Sequence, residues 1–90
     1  MKVIITNHAE ERYNERNTLK AWNLQDLAEE VIRKGRTIDK VRNDRLREKM
    51  IELVGVEKGK TIYYHRRLFF IFKGNEKIRF LITVINPPKL

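Results

Sequence analysis

Leu68-Phe69-Phe70-Ile71-Phe72-Lys73 sets five apolar side chains in a row, and aromatic and β-branched residues dominate it. The run is too short for a buried helix and suits a strand. With a period of two, Leu68, Phe70 and Phe72 point one way and Phe69 and Ile71 the other. Both faces of this strand are therefore apolar and at least partly covered, and one helical layer is expected on one of them. The same period runs through the later half of the chain. Thr61 to His65, Leu68 to Lys73 and Lys77 to Ile85 read as three antiparallel strands, the last two joined by a turn around Gly74-Asn75-Glu76. In the final strand Ile78, Phe80, Ile82 and Val84 share the expected core face, and Arg79, Leu81, Thr83 and Ile85 share the other. Pro87-Pro88 ends the sheet, because proline lacks the N–H that a ladder needs.

Working upstream, Lys2 to Thr6 has the β-branched content of a first strand, and Asn7 to Arg16 reads as a helix directly after it, with Asn7 as N-cap and Glu10 three residues on. Asn17 to Trp22 interrupts that helix. Asn23 caps a second one, whose apolar positions Leu24, Leu27, Ala28, Val31 and Ile32 follow the spacing of one helical face. Gly35 suits its C-terminal end, and Arg33 and Lys34 complement its dipole there. Between Thr37 and Val54 two readings compete. Asp39 can cap a helix with Leu46, Met50, Leu53 and Val54 as its stripe, whereas Ile38 and Val41 would equally suit a strand; the spacing favours a helix from about Arg42 to Leu53. These elements predict one α+β domain over residues 1–90: strand, helix, helix, then a three-stranded antiparallel meander, in two layers with the helices packed on one sheet.

Composition narrows the function. The chain has 20 Lys and Arg against 12 Asp and Glu, a formal charge of +8, and the excess lies entirely after residue 32. A field of that sign favours polyanions, and no stretch is long or apolar enough to insert in a membrane, so nucleic acid is the expected partner. Arg42, Arg45, Arg47 and Lys49 form one strongly basic surface, which reads equally as a solvated face. With no cysteine and only two histidines, neither a disulfide framework, a thiolate metal site nor a zinc site has enough ligands. Met1-Lys2-Val3-Ile4-Ile5 holds three consecutive apolar residues, a strand and not a signal peptide, and the expected location is cytoplasmic.

His8, Arg12 and Arg16 are spaced four apart, which puts them on one helical face with Ala9 and Tyr13 at its edge and Glu10, Glu11 and Glu15 largely opposite. A histidine in the first turn sits where free N–H groups attract phosphate and where the dipole disfavours the imidazolium. Neutral imidazole beside two guanidinium groups suits a general base next to a phosphate clamp. The plainer reading is a solvated helix face on which Arg12 pairs with Glu15.

The motif His8-Ala9-x-x-Arg12-x-x-x-Arg16 after a first strand, with a second amphipathic helix and a closing meander, resembles RelE-like and BrnT-like domains. These belong to the barnase, EndoU, colicin and RelE group of ribonuclease folds, and the chain also resembles phage and mobile-element families related to them. The resemblance implies metal-independent, cofactor-free cleavage of RNA, ribosome-associated or otherwise, by attack of a ribose 2′-hydroxyl on the adjacent phosphate. It also implies restraint of such a toxin by an acidic antitoxin protein. In that chemistry His8 would be the base, Arg12 and Arg16 the phosphate stabilisers, and His65 the acid for the leaving 5′-oxygen. Arg42, Arg45, Arg47, Lys49, Arg66, Arg67 and Arg79 would hold RNA, and Tyr63, on the same strand face as His65, would stack a base; the plainer readings are a strand-edge histidine in a basic turn and tyrosines that pack in the sheet. The chain departs from the group at its end, where only Arg79 remains as a cation on the last strand. The alternative is a non-catalytic nucleic-acid-binding or phage-encoded regulatory module using the same cationic surface.

Overall fold

The computed structural model describes residues 1–16 and 23–88; the side chain of Arg16 and the expected interruption over 17–22 lie outside the described residues. Four strands, β1 (Lys2–Ile5), β2 (Lys60–His65), β3 (Leu68–Gly74) and β4 (Ile78–Ile85), form one sheet in the order β1-β4-β3-β2. The last three make the expected antiparallel meander, and β1 joins parallel to β4 at one edge. The helices are α1 (Asn7–Arg16), α2 (Leu24–Lys34) and α3 (Asp44–Val54), with a single 3₁₀ turn at Ile38–Lys40 before α3. The class is α+β, as the periodicity implies.

Helices cover both faces of the sheet, not one. Ala9 and Tyr13 of α1 and Leu27, Ala28 and Val31 of α2 pack with Phe70, Phe72, Leu81 and Val84 on one face. On the other, Leu46 and Met50 of α3 pack with Val41, Ile62, Phe69 and Ile71. The alternation in β3 is the cause: a strand with apolar residues on both faces must bury both, and each apolar face removed from water stabilises the fold.

Strand β4 departs from simple alternation. Phe72 pairs with Leu81 but Ile71 pairs with Thr83, so β4 carries one extra residue at this point and its phase slips. Leu81 and Val84, three apart, consequently share the α1–α2 face. The expected core face is corrected accordingly: Phe80 and Ile78 are each 39% exposed, while Leu81, assigned to the other face by strict alternation, is fully buried.

Local chemistry explains the helix ends. Thr6, not Asn7, caps α1: its hydroxyl accepts from the Ala9 N–H at 3.2 Å and donates to the Leu81 carbonyl at 2.8 Å, tying the first turn to β4. Asn23 caps α2 through the Asp26 N–H, and Asn43 caps α3 through the Leu46 N–H, at 3.1 and 3.0 Å. Asp39 lies in the 3₁₀ turn instead, where the Thr37 hydroxyl donates to it and lowers its pKa. Gly35 closes α2 with ordinary extended backbone, φ −64°. Its lack of a side chain matters for another reason: a Cβ there would stand 2.5 Å from the Val31 carbonyl and 3.1 Å from the Tyr63 Cβ, so glycine lets the end of α2 lie against β2.

Candidate nucleic-acid interface

The turn between β2 and β3 consists of Arg66 and Arg67 alone, since His65 pairs with Leu68. Two-residue hairpins of this kind need positive φ at both positions and favour Asn-Gly. Here both are arginines, at φ 49° and 63°. Each such residue costs about 1–2 kcal/mol of backbone strain. Two cations at strained positions point towards function.

Helix α2 builds the rest of the site. With Leu27, Ala28 and Val31 turned into the core, Glu30 flanks the buried stripe and reaches the hairpin. One carboxylate oxygen of Glu30 lies 2.7 Å from His65 Nε2 and accepts from Arg66 Nε at 3.0 Å; the other accepts from Arg66 Nη2 at 3.4 Å. His65 and Glu30 are well sheltered, with side chains 16% and 13% exposed. The Arg66 hydrogen bonds first, and then that of His65, pull the Glu30 carboxyl down to about 2. Glu30 is thus ionised at neutral pH and fixes one ring nitrogen of His65.

Past α2, Arg36 makes an antiparallel bridge to Tyr64, its N–H donating to the Tyr64 carbonyl at 2.9 Å and its carbonyl accepting from the Tyr64 N–H at 2.8 Å. That bridge carries Lys34 and Arg36 to the hairpin. Lys34, Arg36, Tyr64, His65, Arg66 and Arg67 line a depression of about 400 Å³. Four cations surround it, and Glu30 pairs with one of them, Arg66, as well as with His65. Such a concave positive surface attracts phosphodiesters.

The sequence-expected residues fall into several places. His65, Arg66 and Arg67 share this depression. Tyr63 does not: it is 7% exposed in the core, its ring edge-on to Phe72 at 5.6 Å, and its hydroxyl accepts from Arg79 Nη1 at 2.7 Å. Parity placed Tyr63 on the face of His65, but α2 covers that face, so the Tyr63 ring is not presented to a base; Arg79 is half-buried, with one nitrogen bonded to the Tyr63 hydroxyl. Tyr64 also lines the depression, but it is half-buried and its ring packs edge-on against Phe69 on the opposite face of the sheet.

Over α3, Arg42 and Arg45 are exposed, whereas Arg47 is tied to Asp44 and to the Val41 carbonyl, and Lys49 lies 3.5 Å from Glu52. The expected continuous basic surface is therefore partly neutralised by the helix itself. On α1, His8 is exposed in the first turn and Arg12 donates to Glu15 at 3.0 Å. Arg16 closes α1, and its side chain lies outside the described residues. Among the described residues, the His8 and Arg12 side chains form no hydrogen bond or ion pair with His65 or Glu30.

Sequence reasoning missed Glu30, Lys34 and Arg36. Helical spacing marks Glu30 as flanking a buried stripe, but its pairing with His65 spans 35 residues and has no local signal. Among the described residues, no helix is long and apolar enough to cross a membrane. Comparison with known protein families, curated proteins and solved structures finds no match for this chain. The class of protein is accordingly defined by its own fold and site: a small α+β domain with a basic hairpin depression built around a carboxylate-held histidine.

Proposed function

We propose that this chain is a small metal-independent ribonuclease that holds RNA at the β2–β3 hairpin. The observation that carries this reading is the Glu30–His65–Arg66 constellation beside Lys34, Arg36 and Arg67. Cleavage by a 2′-hydroxyl needs a proton acceptor, a proton donor and cations where negative charge builds on phosphorus. Glu30 holds His65 Nε2 and leaves Nδ1 as the nitrogen that exchanges a proton with the substrate. Arg36 and Arg67 supply positive charge for the phosphate. In this reading the 2′-oxygen forms the new bond to phosphorus, the bond to the 5′-oxygen breaks, and the products are a 2′,3′-cyclic phosphate and a 5′-hydroxyl. The His8–Arg12–Arg16 face belongs to the same proposal as a second contact to the RNA backbone, and an acidic antitoxin, a cytoplasmic location and kinship with RelE-like domains go with it as expectations.

The second reading is RNA binding without cleavage. One observation favours it: with Nε2 of His65 held by Glu30, a single ring nitrogen is left at the hairpin where the reaction needs both a proton acceptor and a proton donor.

Labelled single-stranded RNA, incubated with the purified chain in EDTA, separates the two. A ribonuclease leaves cyclic-phosphate ends, and His65→Gln lowers the rate on the order of 10²-fold with an unchanged melting temperature. His8→Ala and Arg12→Ala, also expected to melt as wild type, report whether α1 contributes. Intact RNA throughout, with binding lost in Arg36→Ala and Arg67→Ala, establishes the second reading. Absence of binding at low salt would remove both.

A further inference from the structure

The cations of this chain are not equally engaged. On α1 and α3, Arg12, Arg47 and Lys49 are each paired with a carboxylate three residues away. Around the hairpin depression Lys34, Arg36 and Arg67 are exposed, and among the described residues their side chains make no hydrogen bond or ion pair. Three free cations therefore converge on one concave surface, where phosphate is the group they suit.

The groups that identify a base are of two kinds: flat rings that stack on it, and amide, hydroxyl or carboxylate groups that bond to its edges. Among the described residues, no Asn, Gln, Ser, Thr or Asp lines the depression. Glu30 has both carboxylate oxygens engaged, one with His65 and Arg66 and the other with Arg66. The Tyr64 ring packs with Phe69 on the opposite face of the sheet, and the Tyr63 ring lies in the core against Phe72. An arginine reads guanine when its planar fork is held in place, and neither Arg36 nor Arg67 has a partner that holds it.

The recess adds a demand on the shape of the strand. The His65 side chain is only 16% exposed, so a sugar must enter the depression to bring its 2′-hydroxyl to the imidazole. Attack also needs the 2′-oxygen, phosphorus and the departing 5′-oxygen close to one line. A base-paired A-form backbone holds the 2′-oxygen well off that line, whereas an unpaired strand reaches it by rotation. We infer that the depression grips an unpaired strand through its phosphates alone. The substrate class is then single-stranded RNA of any base composition, and single-stranded DNA occupies the same site uncut, because it lacks the 2′-hydroxyl. This rests on the placement of RNA at the hairpin proposed above, but not on its cleavage.

The test uses the full chain and labelled DNA strands of about 12 nucleotides: oligo-dA, oligo-dC, oligo-dT, and oligo-dT with guanine at every third position. Fluorescence anisotropy at low salt is expected to give dissociation constants within about 3-fold of one another. Arg36→Ala and Arg67→Ala, at exposed positions, should each weaken every strand by the same factor, at least about 5-fold. Lys77→Ala, past the far end of β3 from the hairpin, should change binding by less than about 2-fold. The imidazole NMR signals of His65, told from those of His8 with His8→Ala, should shift on adding each strand and stay in place with an RNA duplex of equal length. A preference above about 10-fold for one base would overturn the inference, because a read base edge discriminates by that much. So would binding that survives both arginine changes, or a duplex that moves the His65 signals as far as a single strand does. RNA left intact while DNA binds uniformly removes cleavage and sustains this inference; RNA cut beside one base alone sustains cleavage and removes it.

Discussion

Leu81 and Phe80 are neighbours on β4 with opposite fates, and truncating each to alanine measures the phase slip directly. Leu81 is fully buried among the α1–α2 core residues and pairs with Phe72. Leu81→Ala removes about three methylene-sized groups at about 0.8 kcal/mol each, about 2.4 kcal/mol before any cavity forms. Because the surroundings include a helix tied down through Thr6, the space will collapse only in part, and the full cost should be about 3–5 kcal/mol. A domain of 90 residues has about 5–13 kcal/mol in total. At about 4–8 °C per kcal/mol, a loss of 3 kcal/mol lowers the melting temperature by about 12–24 °C. Phe80 already meets solvent over 39% of its surface, so Phe80→Ala should cost below about 1.5 kcal/mol. Urea unfolding at neutral pH, followed by circular dichroism, gives both values from the midpoints if the slope is unchanged. A Phe80→Ala loss above about 3 kcal/mol, with Leu81→Ala nearly silent, would show that β4 presents the opposite residues to the core. The slip would then be refuted, and with it the exposure of Phe80.

Two further outcomes concern the hairpin. Glu30 titrates at about 2 in the folded chain against an ordinary 4.5, so its contribution to stability is complete above about 4.5 and disappears as pH falls through about 2. Urea midpoints measured across that window should fall more steeply for wild type than for Glu30→Gln; parallel curves would mean that Glu30 holds neither Arg66 nor His65 in solution. Arg67→Gly should relieve left-handed strain and raise the melting temperature by several degrees, since about 1 kcal/mol is released. The same change should lower the slope of log K for RNA against log salt by about one unit, and an unaltered slope would place the phosphate contacts elsewhere.

Local order along this chain is legible without coordinates, because it depends on neighbours a few residues apart. The period of two after Lys60 follows from side chains alternating across a pleat, and the α2 stripe from Leu24 to Ile32 follows from the helical repeat. The Asn23 cap and the α3 helix after Arg42 have the same local origin. The α+β class follows from these patterns together. Other features depend on which surfaces meet. An amphipathic stripe says that α3 must bury Leu46 and Met50 but not against which face of the sheet; that choice belongs to Phe69 and Ile71, which had to be covered. Strict alternation misassigned Phe80 and Leu81, because the extra residue in β4 is defined by pairing with β3.

The site divides in the same way. His65, Arg66 and Arg67 are conspicuous as a basic run, yet the strain in their turn appears only once His65 is seen opposite Leu68. Tyr63 had the parity to face a ligand and was claimed instead by the core and by Arg79. Glu30 became a partner of His65 only because Gly35 lets α2 close against β2. Short-range pattern determined which side chains are apolar, charged and capped; the packing of helices against a twisted, bulged sheet decided which of them meet, since contacts over 35 residues arise from the shape of the folded surfaces and not from spacing along the chain.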